Sequence, residues 1–393
     1  MKYIFLSLVF NKEHENDYFN ELKKLPMSVQ NFQSNLLDGF FENGLQDFCV
    51  LNTLPFPSFP KYKHFVVADE EFVLSGCKCK TLKYSNIPLL KERTKTIAVY
   101  KSLKALAKEE DVAIIVYSLY IPYLRACLKF KNERKNAHLH VIIPDLPYPY
   151  APVSKSRWVN FRNKYIEKKS IPLAKRFDSF TLLTDQMAPI FADNNKRFCI
   201  VEGVYKHNGF FQRRTSSKKV FLYSGTLRVW SGILDFIIAF SSIHDKDIEL
   251  WIFGAGEVED QVKKAALKDH RIKYYGYIKH DELEEKMRSA SFLINPRRNS
   301  GEYVKYSFPS KTIEYLSTGI PVIMFKLAGI PGEYDDFVNY FHEDIKESIR
   351  SILDTDYNLL LDKAKRGKEF VVKFKNPQAQ AKKIINTIGG RND

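Results

Sequence analysis

The segment Ser307 to Phe325 places a lysine and a glutamate near the start of a short predicted helix. Pro309 suits the first helical position, because its φ is fixed and it has no N–H to leave unbonded. Gly319 suits a left-handed helix end, so we predict a helix of about ten residues. Lys311 and the free backbone N–H groups of a helix start suit a phosphate group. Glu314, one turn later, suits a pair of vicinal hydroxyls.

The neighbouring residues support the same site and also leave an alternative open. Ser310 lies beside Lys311 on a polar stripe and would add a hydroxyl to a phosphate site. Ile313 and Leu316 share an apolar stripe that would hold the helix on the protein. The alternative for Glu314 is an ordinary salt bridge with Lys311, which the i, i+3 spacing also permits.

Strand-like and helix-like segments alternate along the whole chain. In the first half we predict strands at 3–10, 49–54, 113–117, 139–143 and 177–184, and helices at 29–41, 94–107 and 120–129. In the second half we predict strands at 219–223, 248–253, 272–275 and 292–294, and helices at 232–240, 258–266 and 280–290. This alternation predicts an α/β protein with doubly wound, Rossmann-like parallel sheets. Ligands bind such sheets at the carboxyl ends of the strands.

The length and composition indicate two ordered globular domains. The chain has 393 residues, of which 45% are hydrophobic and 27% charged. Two domains of about 190 residues would each bury a substantial core. We place the first domain at 1–204, the second at 205–375 and a terminal helical segment at 376–393. The polar stretch 206–219 is the predicted connection.

The N-terminus and the cysteines favour a cytoplasmic protein. The apolar run from Tyr3 to Phe10 meets charge without a small-residue cleavage site, so we interpret it as a first strand. We find no apolar run long enough to cross a bilayer. The five cysteines lack paired Cys-x-x-Cys spacing, so neither a zinc site nor a disulfide framework is predicted.

The net charge of +15 is concentrated in the first half of the chain. Residues 1–200 hold 30 Lys and Arg against 20 Asp and Glu, whereas residues 201–393 hold 31 against 26. The densest basic stretch is 155–176, where Trp158, Phe161 and Tyr165 recur at helical spacing. Two interpretations stay open: a solvated helix with its aromatic side chains packed inward, or peripheral association with an anionic membrane at its inner face. We expect no nucleic-acid partner, because no recognition motif accompanies the charge.

Four further motifs occur in a recognisable order: SGTL at 224–227, FGAGE at 253–257, YYGYI at 274–278 and LINPR at 293–297. SFPSK at 307–311 and the pair Glu314-Tyr315 follow these motifs. With this set of motifs the chain resembles family-4-type glycosyltransferases of the GT-B fold, which build bacterial polysaccharides and glycoconjugates. The resemblance is strongest over 220–325. It implies two Rossmann-like domains facing a cleft, with the terminal helix crossing back to the first domain. It also implies a retaining, metal-independent transfer from a nucleotide-sugar, in which Glu314 grips the ribose.

The resemblance assigns most of the donor site to loops that follow strands. Gly225 belongs to the first of these loops. Gly254 and Gly256 would let a base or ribose approach the backbone, and backbone groups at Tyr277 and Ile278 would read the base edge. We expect a UDP-sugar as substrate, no further cofactor and no metal. The expected acceptor is a saccharide or a lipid-linked saccharide.

The predicted phosphate contacts depart from the family pattern. Thr226 and Ser231 stand where many relatives have an Arg and a Lys, and Tyr306 stands where the first Glu of a Glu-x7-Glu pair would fall. Arg228, Arg297 and Arg298 remain nearby in sequence, and Lys311 is the best-placed replacement. The alternative is a catalytically inactive relative that acts as a partner or regulatory subunit.

On the acceptor side, the strand 139–143 runs directly into Pro144 and Asp145. Relatives often have a His-Asp pair here, and Asp145 would deprotonate or orient the acceptor hydroxyl. The alternative role of Asp145 is to cap the following turn. Gln30 and Asn31 align loosely with a loop near the donor phosphates.

Overall fold

The computed structural model describes residues 1–23, 25–45, 48–107, 111–147, 157–192, 196–206, 214 and 217–390, without the side chains of residues 157–163 and 280. It divides into two compact units, Met1–Lys206 with Asn376–Asp393 and His207–Lys375. Most of the predicted connection at 206–219 lies outside the described residues.

The first unit contains ten described strands: β1 Lys2–Ser7, β2 Cys49–Asn52, β3 Val66–Val67, β4 Glu70–Leu74, β5 Cys77–Thr81, β6 Tyr84–Ser85, β7 Val112–Tyr117, β8 His138–Ile143, β9 Ser179–Leu182 and β10 Arg197–Ile200. Eight of them form one sheet in the order β10-β9-β8-β7-β1-β2-β5-β4. Its pairs are parallel except β4–β5, which is antiparallel. β3 and β6 form a separate antiparallel pair.

The helices of this unit are α1 Glu15–Leu22, α2 Met27–Glu42, α3 Pro88–Leu106, α4 Ile121–Glu133, α5 Arg157–Ala174 and α6 Ala188–Phe191. The helical part of the 155–176 prediction is confirmed by α5, whereas the side chains of Trp158 and Phe161 lie outside the described residues. Tyr165 is 49% exposed, so it does not pack fully inward. The short strands β3 to β6 were not predicted, because the sequence between 55 and 87 gives no long periodic run.

The first strand ends at Ser7, three residues earlier than predicted, because side-chain amides replace the ladder beyond it. The Phe10 N–H donates to Gln30 Oε1 at 3.0 Å, and Gln30 Nε2 donates to the Phe10 carbonyl at 3.0 Å. Asn52 forms the same type of pair with Val9, at 2.9 Å in both directions. Gln30 is therefore bonded inside the protein, and the loose alignment of this side chain with a phosphate loop was wrong.

The second unit contains β11 Lys219–Ser224, β12 Ile248–Phe253, β13 Ile272–Gly276, β14 Phe292–Asn295, β15 Val322–Met324 and β16 Asn339–Tyr340. Its helices are α7 Ile233–Ser241, α8 Glu259–Lys268, α9 His280–Met287, α10 Lys311–Thr318, α11 Ile345–Asp354 and α12 Tyr357–Phe374. The strand order is β13-β12-β11-β14-β15-β16, and the pairs are parallel. The winding direction therefore reverses between β11 and β14, where α/β sheets bind ligands.

The last helix, α13 Pro377–Gly389, belongs to the first unit, where it packs against α2. Asn376 caps it by accepting a hydrogen bond from the Ala379 N–H at 2.8 Å, and Pro377 follows the cap. A Cβ on Gly39 of α2 would lie 2.0 Å from the Pro377 carbonyl oxygen, so glycine permits this close helix contact. The predicted α/β class with two Rossmann-like sheets is confirmed.

Candidate functional site

Helix α10 begins at Lys311, two residues after the predicted start at Pro309. The Thr312 N–H donates to the Pro309 carbonyl at 2.8 Å, so Pro309 and Ser310 form the turn that leads into the helix. Gly319 ends the helix in the left-handed conformation with φ of 73°, as predicted. The helix is eight residues long rather than about ten, and Ser310 is exposed at its amino end.

The side chains of Lys311 and Glu314 form an ion pair with 2.7 Å between Nζ and Oε1. This pair is the alternative that the sequence left open for Glu314. The two side chains are 33% and 28% exposed, so solvent reaches both. A pair of this kind on a helix surface contributes about 0.5 kcal/mol, and a charged ligand can replace it at low cost.

A cavity of about 320 Å³ lies at the carboxyl edge of the second sheet. It is lined by Ser224, Gly225, Thr226, Phe253, Gly254, Ala255, Tyr277, Ile278, Leu283 and Lys311. Its walls come from the loops after β11, β12 and β13 and from the start of α10. The cavity therefore lies at the end of β11, one of the two strands between which the strand order reverses. Its volume is at the lower end of the roughly 300–1,000 Å³ that small-molecule sites occupy.

Six of the predicted site residues line this cavity, and five in the same unit do not. Glu314, Ser310, Arg228, Gly256 and Arg297 lie outside the lining. Glu314 is linked to it through the Lys311 ion pair, and Ser310 precedes Lys311. The structure thus brings the loop residues and Lys311 together around the cavity. Glu314, which is predicted to bind the ribose, contacts Lys311 but does not line the cavity.

The glycines of the FGAG motif act mainly through protein packing. A Cβ on Gly254, where φ is 123°, would lie 1.9 Å from the Gly225 carbonyl oxygen. A Cβ on Gly256 would lie 2.4 Å from the Leu227 carbonyl oxygen. Both residues therefore let the loop after β12 lie directly against the loop after β11. Gly256 therefore allows two backbones to meet, and its predicted role beside the base or ribose stays a prediction.

Ser231 and the predicted site residues Thr226 and Arg228 lie in the loop after β11. The Ser231 hydroxyl is buried and donates to the Arg228 carbonyl at 2.6 Å, which fixes the loop rather than facing a ligand. The Arg228 and Thr226 side chains are exposed.

Arg297 is wedged between two aromatic rings. Its guanidinium carbon lies 5.1 Å from the ring centre of Trp230 and 5.6 Å from that of Tyr303, and Nη2 donates to Ser307 Oγ at 3.1 Å. Partial burial lowers the pKa of Arg297.

Tyr315 is a positioning residue that the sequence analysis missed. It is fully buried on α10, and its hydroxyl accepts a hydrogen bond from the Ser224 N–H at 2.9 Å and donates to the Ser224 carbonyl at 3.1 Å. Burial raises its pKa, so the hydroxyl stays protonated. This bond ties the helix that carries Lys311 and Glu314 to the end of β11. The only sequence signal is that Tyr315 falls on the apolar side of the helix.

A second cavity of about 520 Å³ shares Phe253 and Ile278 with the first. Tyr275 lines it and stacks on Phe253 with 4.7 Å between ring centres and 5° between ring planes. Tyr277, on the lining of the smaller cavity, is 81% exposed. The two cavities adjoin at Phe253 and Ile278, and aromatic side chains line both of them.

In the first unit, Asp145 follows β8 at the carboxyl edge of the sheet. Its side chain reaches solvent, while surrounding protein partly desolvates the carboxyl and raises its pKa to about 6. The charge of Asp145 in turn adds to the burial that raises the pKa of Tyr117, at the end of β7. A carboxyl with such a pKa exchanges its proton near neutral pH, as a general base must.

Two further searches of the described residues gave no candidate. No group of three or more His, Cys, Asp and Glu side chains there is arranged to hold a metal ion. No helix in the described part combines the length and apolar character needed to cross a membrane.

The comparison with protein families identifies the second unit. Residues 218–354 match the family model described as Glycosyl transferases group 1. The matched range contains β11, α10 and all the residues that line the smaller cavity. No curated protein matches the chain in sequence.

Solved structures match the fold of nearly the whole chain. Sucrose-phosphate synthase from Thermosynechococcus elongatus superposes with a TM-score of 0.64 at 14% identity, covering 99% of both chains. The lipopolysaccharide outer core galactosyltransferase WaaB gives 0.61 at 13% identity, again covering 99% of both chains. HepE from Anabaena in complex with UDP gives 0.60 at 14% identity, covering 99% of this chain and 100% of HepE. At these identities the likeness shows the fold alone.

Over residues 218–354 the chain is similar to a glycosyltransferase family, and over nearly its whole length it has the GT-B fold of these solved structures.

Proposed function

We propose that this enzyme transfers a sugar from a UDP-sugar to a saccharide or lipid-linked saccharide, with retention of configuration and without a metal ion. The supporting observation is the cavity at the strand-order reversal, which Lys311 lines while Glu314 lies one turn away on α10. HepE was solved with UDP and with UDP-glucose, and this chain shares its fold.

Donor binding would exchange one weak contact for stronger ones. The Lys311–Glu314 ion pair contributes about 0.5 kcal/mol, whereas a hydrogen bond to a charged group contributes about 1.5–3 kcal/mol. The diphosphate would form an ion pair with Lys311, and the ribose hydroxyls would donate hydrogen bonds to Glu314. Lys311 then supplies the positive charge that Thr226 and Ser231 do not.

The base would lie over the wall formed by Phe253, Tyr277 and Ile278, where aromatic faces and backbone groups are available. The backbones of Gly225 and Gly254 line this part of the pocket.

In the transfer step, the bond between the anomeric carbon and the diphosphate oxygen breaks. A bond to the acceptor oxygen forms on the same face of the sugar. Lys311 stabilises the negative charge of the leaving diphosphate. The acceptor proton passes to Asp145, whose pKa of about 6 leaves it largely ionised at neutral pH.

The test is a panel of UDP-, GDP- and dTDP-sugars measured by thermal stabilisation and by product formation with short saccharide acceptors. We expect stabilisation by UDP-sugars that Glu314→Ala abolishes. Glu302→Ala is a matched control, because Glu302 is 84% exposed and paired with Lys305 in the same unit. Absence of any nucleotide effect would contradict donor binding, and binding without turnover would favour a non-catalytic partner role.

A further inference from the structure

The first unit exposes an unusual group of large apolar side chains. Phe65 is 58% exposed, Val66 51%, Ile87 40%, Leu89 93% and Leu90 45%. We call these five residues the apolar tip. A soluble protein normally places polar residues on such a surface, so a cluster of exposed apolar side chains marks an interaction site.

The tip is continuous because two chain segments are paired there. Val66 pairs with Ser85 across the antiparallel β3–β6 ladder, and the Asn86 N–H donates to the Phe65 carbonyl at 2.7 Å. Ile87 follows Asn86 directly, and Leu89 and Leu90 occupy the first turn of α3. The ring of Phe59 stacks on that of Phe65 with 4.2 Å between centres, which supports the tip from behind.

The tip is also held rigidly from inside the unit. Lys91 Nζ donates to the Phe56 carbonyl at 2.7 Å, and Lys95 Nζ donates to the Leu54 carbonyl at 3.0 Å. Burial lowers the pKa of Lys91 to about 8 and lowers that of Lys95 as well. Two α3 lysines thus fasten the loop that leads to Phe65. The exposed side chains belong to a fixed surface rather than to a loose loop.

The charges around the tip complement an anionic surface. Lys61 and Lys63 are exposed in the loop before Phe65, and Arg93 is exposed one turn after Leu89. The nearby acids are Glu92 and Asp69, which are exposed, and Glu21, which accepts from the Lys63 N–H and faces His64. α4 packs against both α3 and α5. On α5, the side chains of Lys164, Lys168 and Lys169 are exposed. Basic side chains therefore continue along the same layer of helices.

We propose that the apolar tip docks the first unit on an anionic lipid bilayer. The five apolar side chains would enter the boundary between headgroups and acyl chains, and the flanking lysines and arginine would contact the headgroups. Lysine is depleted at protein–protein interfaces, whereas its long stem suits a membrane surface. The contact at the tip is distinct from the basic helix at 155–176.

Vesicle flotation with the full-length protein tests this proposal without using activity, so a failure of the proposed function would not affect the result. We expect binding to vesicles that contain phosphatidylglycerol and weak binding to pure phosphatidylcholine. Leu89→Ser combined with Leu90→Ser should lower the partition coefficient at least about tenfold, because two exposed apolar side chains no longer insert. Leu267→Ser is the matched control, since Leu267 is 88% exposed in the second unit.

Four outcomes would overturn the proposal. The first is wild-type binding by the double-serine variant with an unchanged melting temperature. The second is equal binding of the wild-type protein to neutral and anionic vesicles. The third is self-association in sedimentation velocity that the double-serine variant loses, without any vesicle binding, because the tip would then join copies of the chain. Charge reversal at Lys164, Lys168 and Lys169 measures the separate contribution of α5. The fourth outcome is complete loss of vesicle binding after this change alone, because the tip would then not be the docking site.

Discussion

The carboxyl edges of the two sheets use their polar groups in different ways. In the first unit, Asn52 and Gln30 bond to the chain beyond β1, and the Tyr123 hydroxyl donates to the Ser7 carbonyl at 2.6 Å. In the second unit, glycines follow β11 and β12, and a cavity remains. The first edge uses amide and hydroxyl side chains to bond its own backbone, whereas the second edge borders a cavity beside its glycine loops.

This difference shows how one architecture supports two tasks. At the first edge, partial desolvation of Asp145 raises its pKa to about 6. An open edge provides volume, backbone groups and one cation for a larger ligand. The first arrangement suits proton transfer and the second suits binding, and each can be tested separately.

Replacing Glu314 with alanine should have the largest effect, because it removes both hydrogen bonds to the donor ribose. Loss of two charged hydrogen bonds corresponds to about 4 kcal/mol, or about a thousandfold in kcat/KM. Steady-state kinetics with a UDP-sugar measures it, with Glu302→Ala as control. A decrease below about tenfold would mean that Glu314 serves only the Lys311 ion pair.

Replacing Gly254 with alanine should destabilise the second unit by about 3 kcal/mol, because the added Cβ meets the Gly225 carbonyl and φ is unfavourable. Thermal or urea unfolding measures this change. Gly332→Ala is the control, since a Cβ there meets no atom within 4 Å. Equal melting temperatures of the two variants would refute the packing role assigned to Gly254.

Asp145→Asn should lower kcat about a hundredfold with little change in the donor KM, because the asparagine cannot accept a proton. A general base must be ionised, so wild-type activity should fall as the pH drops through about 6. The variant should lose this acid limb. An unchanged pH profile in Asp145→Asn would favour the turn-capping role.

Tyr315→Phe should have the smallest effect, about 2 kcal/mol of stability, because the buried Ser224 N–H loses its partner. The donor KM should also rise, since Ser224 lines the cavity. Tyr275→Phe serves as a stability control, because its ring can still stack on Phe253. A loss of stability without any change in donor KM would show that Tyr315 supports the fold and not the site.

Local sequence patterns predicted most of the second unit. β12 at Ile248–Phe253 was predicted to the residue, and Gly319 ends α10 as expected. These features follow from local properties of the sequence. The properties are the helical spacing of apolar residues, a glycine in the left-handed conformation and a strand rich in β-branched residues. The first unit was predicted less completely, because β3 and β6 have only two residues each, and β4 and β5 form a short hairpin that joins the sheet beside β2.

The sequence by itself determined the α/β class, the strands that carry the site and the presence of a lysine and a glutamate one turn apart. The tertiary structure decided which of the predicted residues share a cavity, that the backbone at Gly256 lies against Leu227, and that Tyr315 fastens α10 to β11. It also decided that Phe65 and Leu89 belong to one exposed surface. These outcomes depend on contacts between distant segments, and such contacts follow from the packing of the whole sheet rather than from any local periodicity.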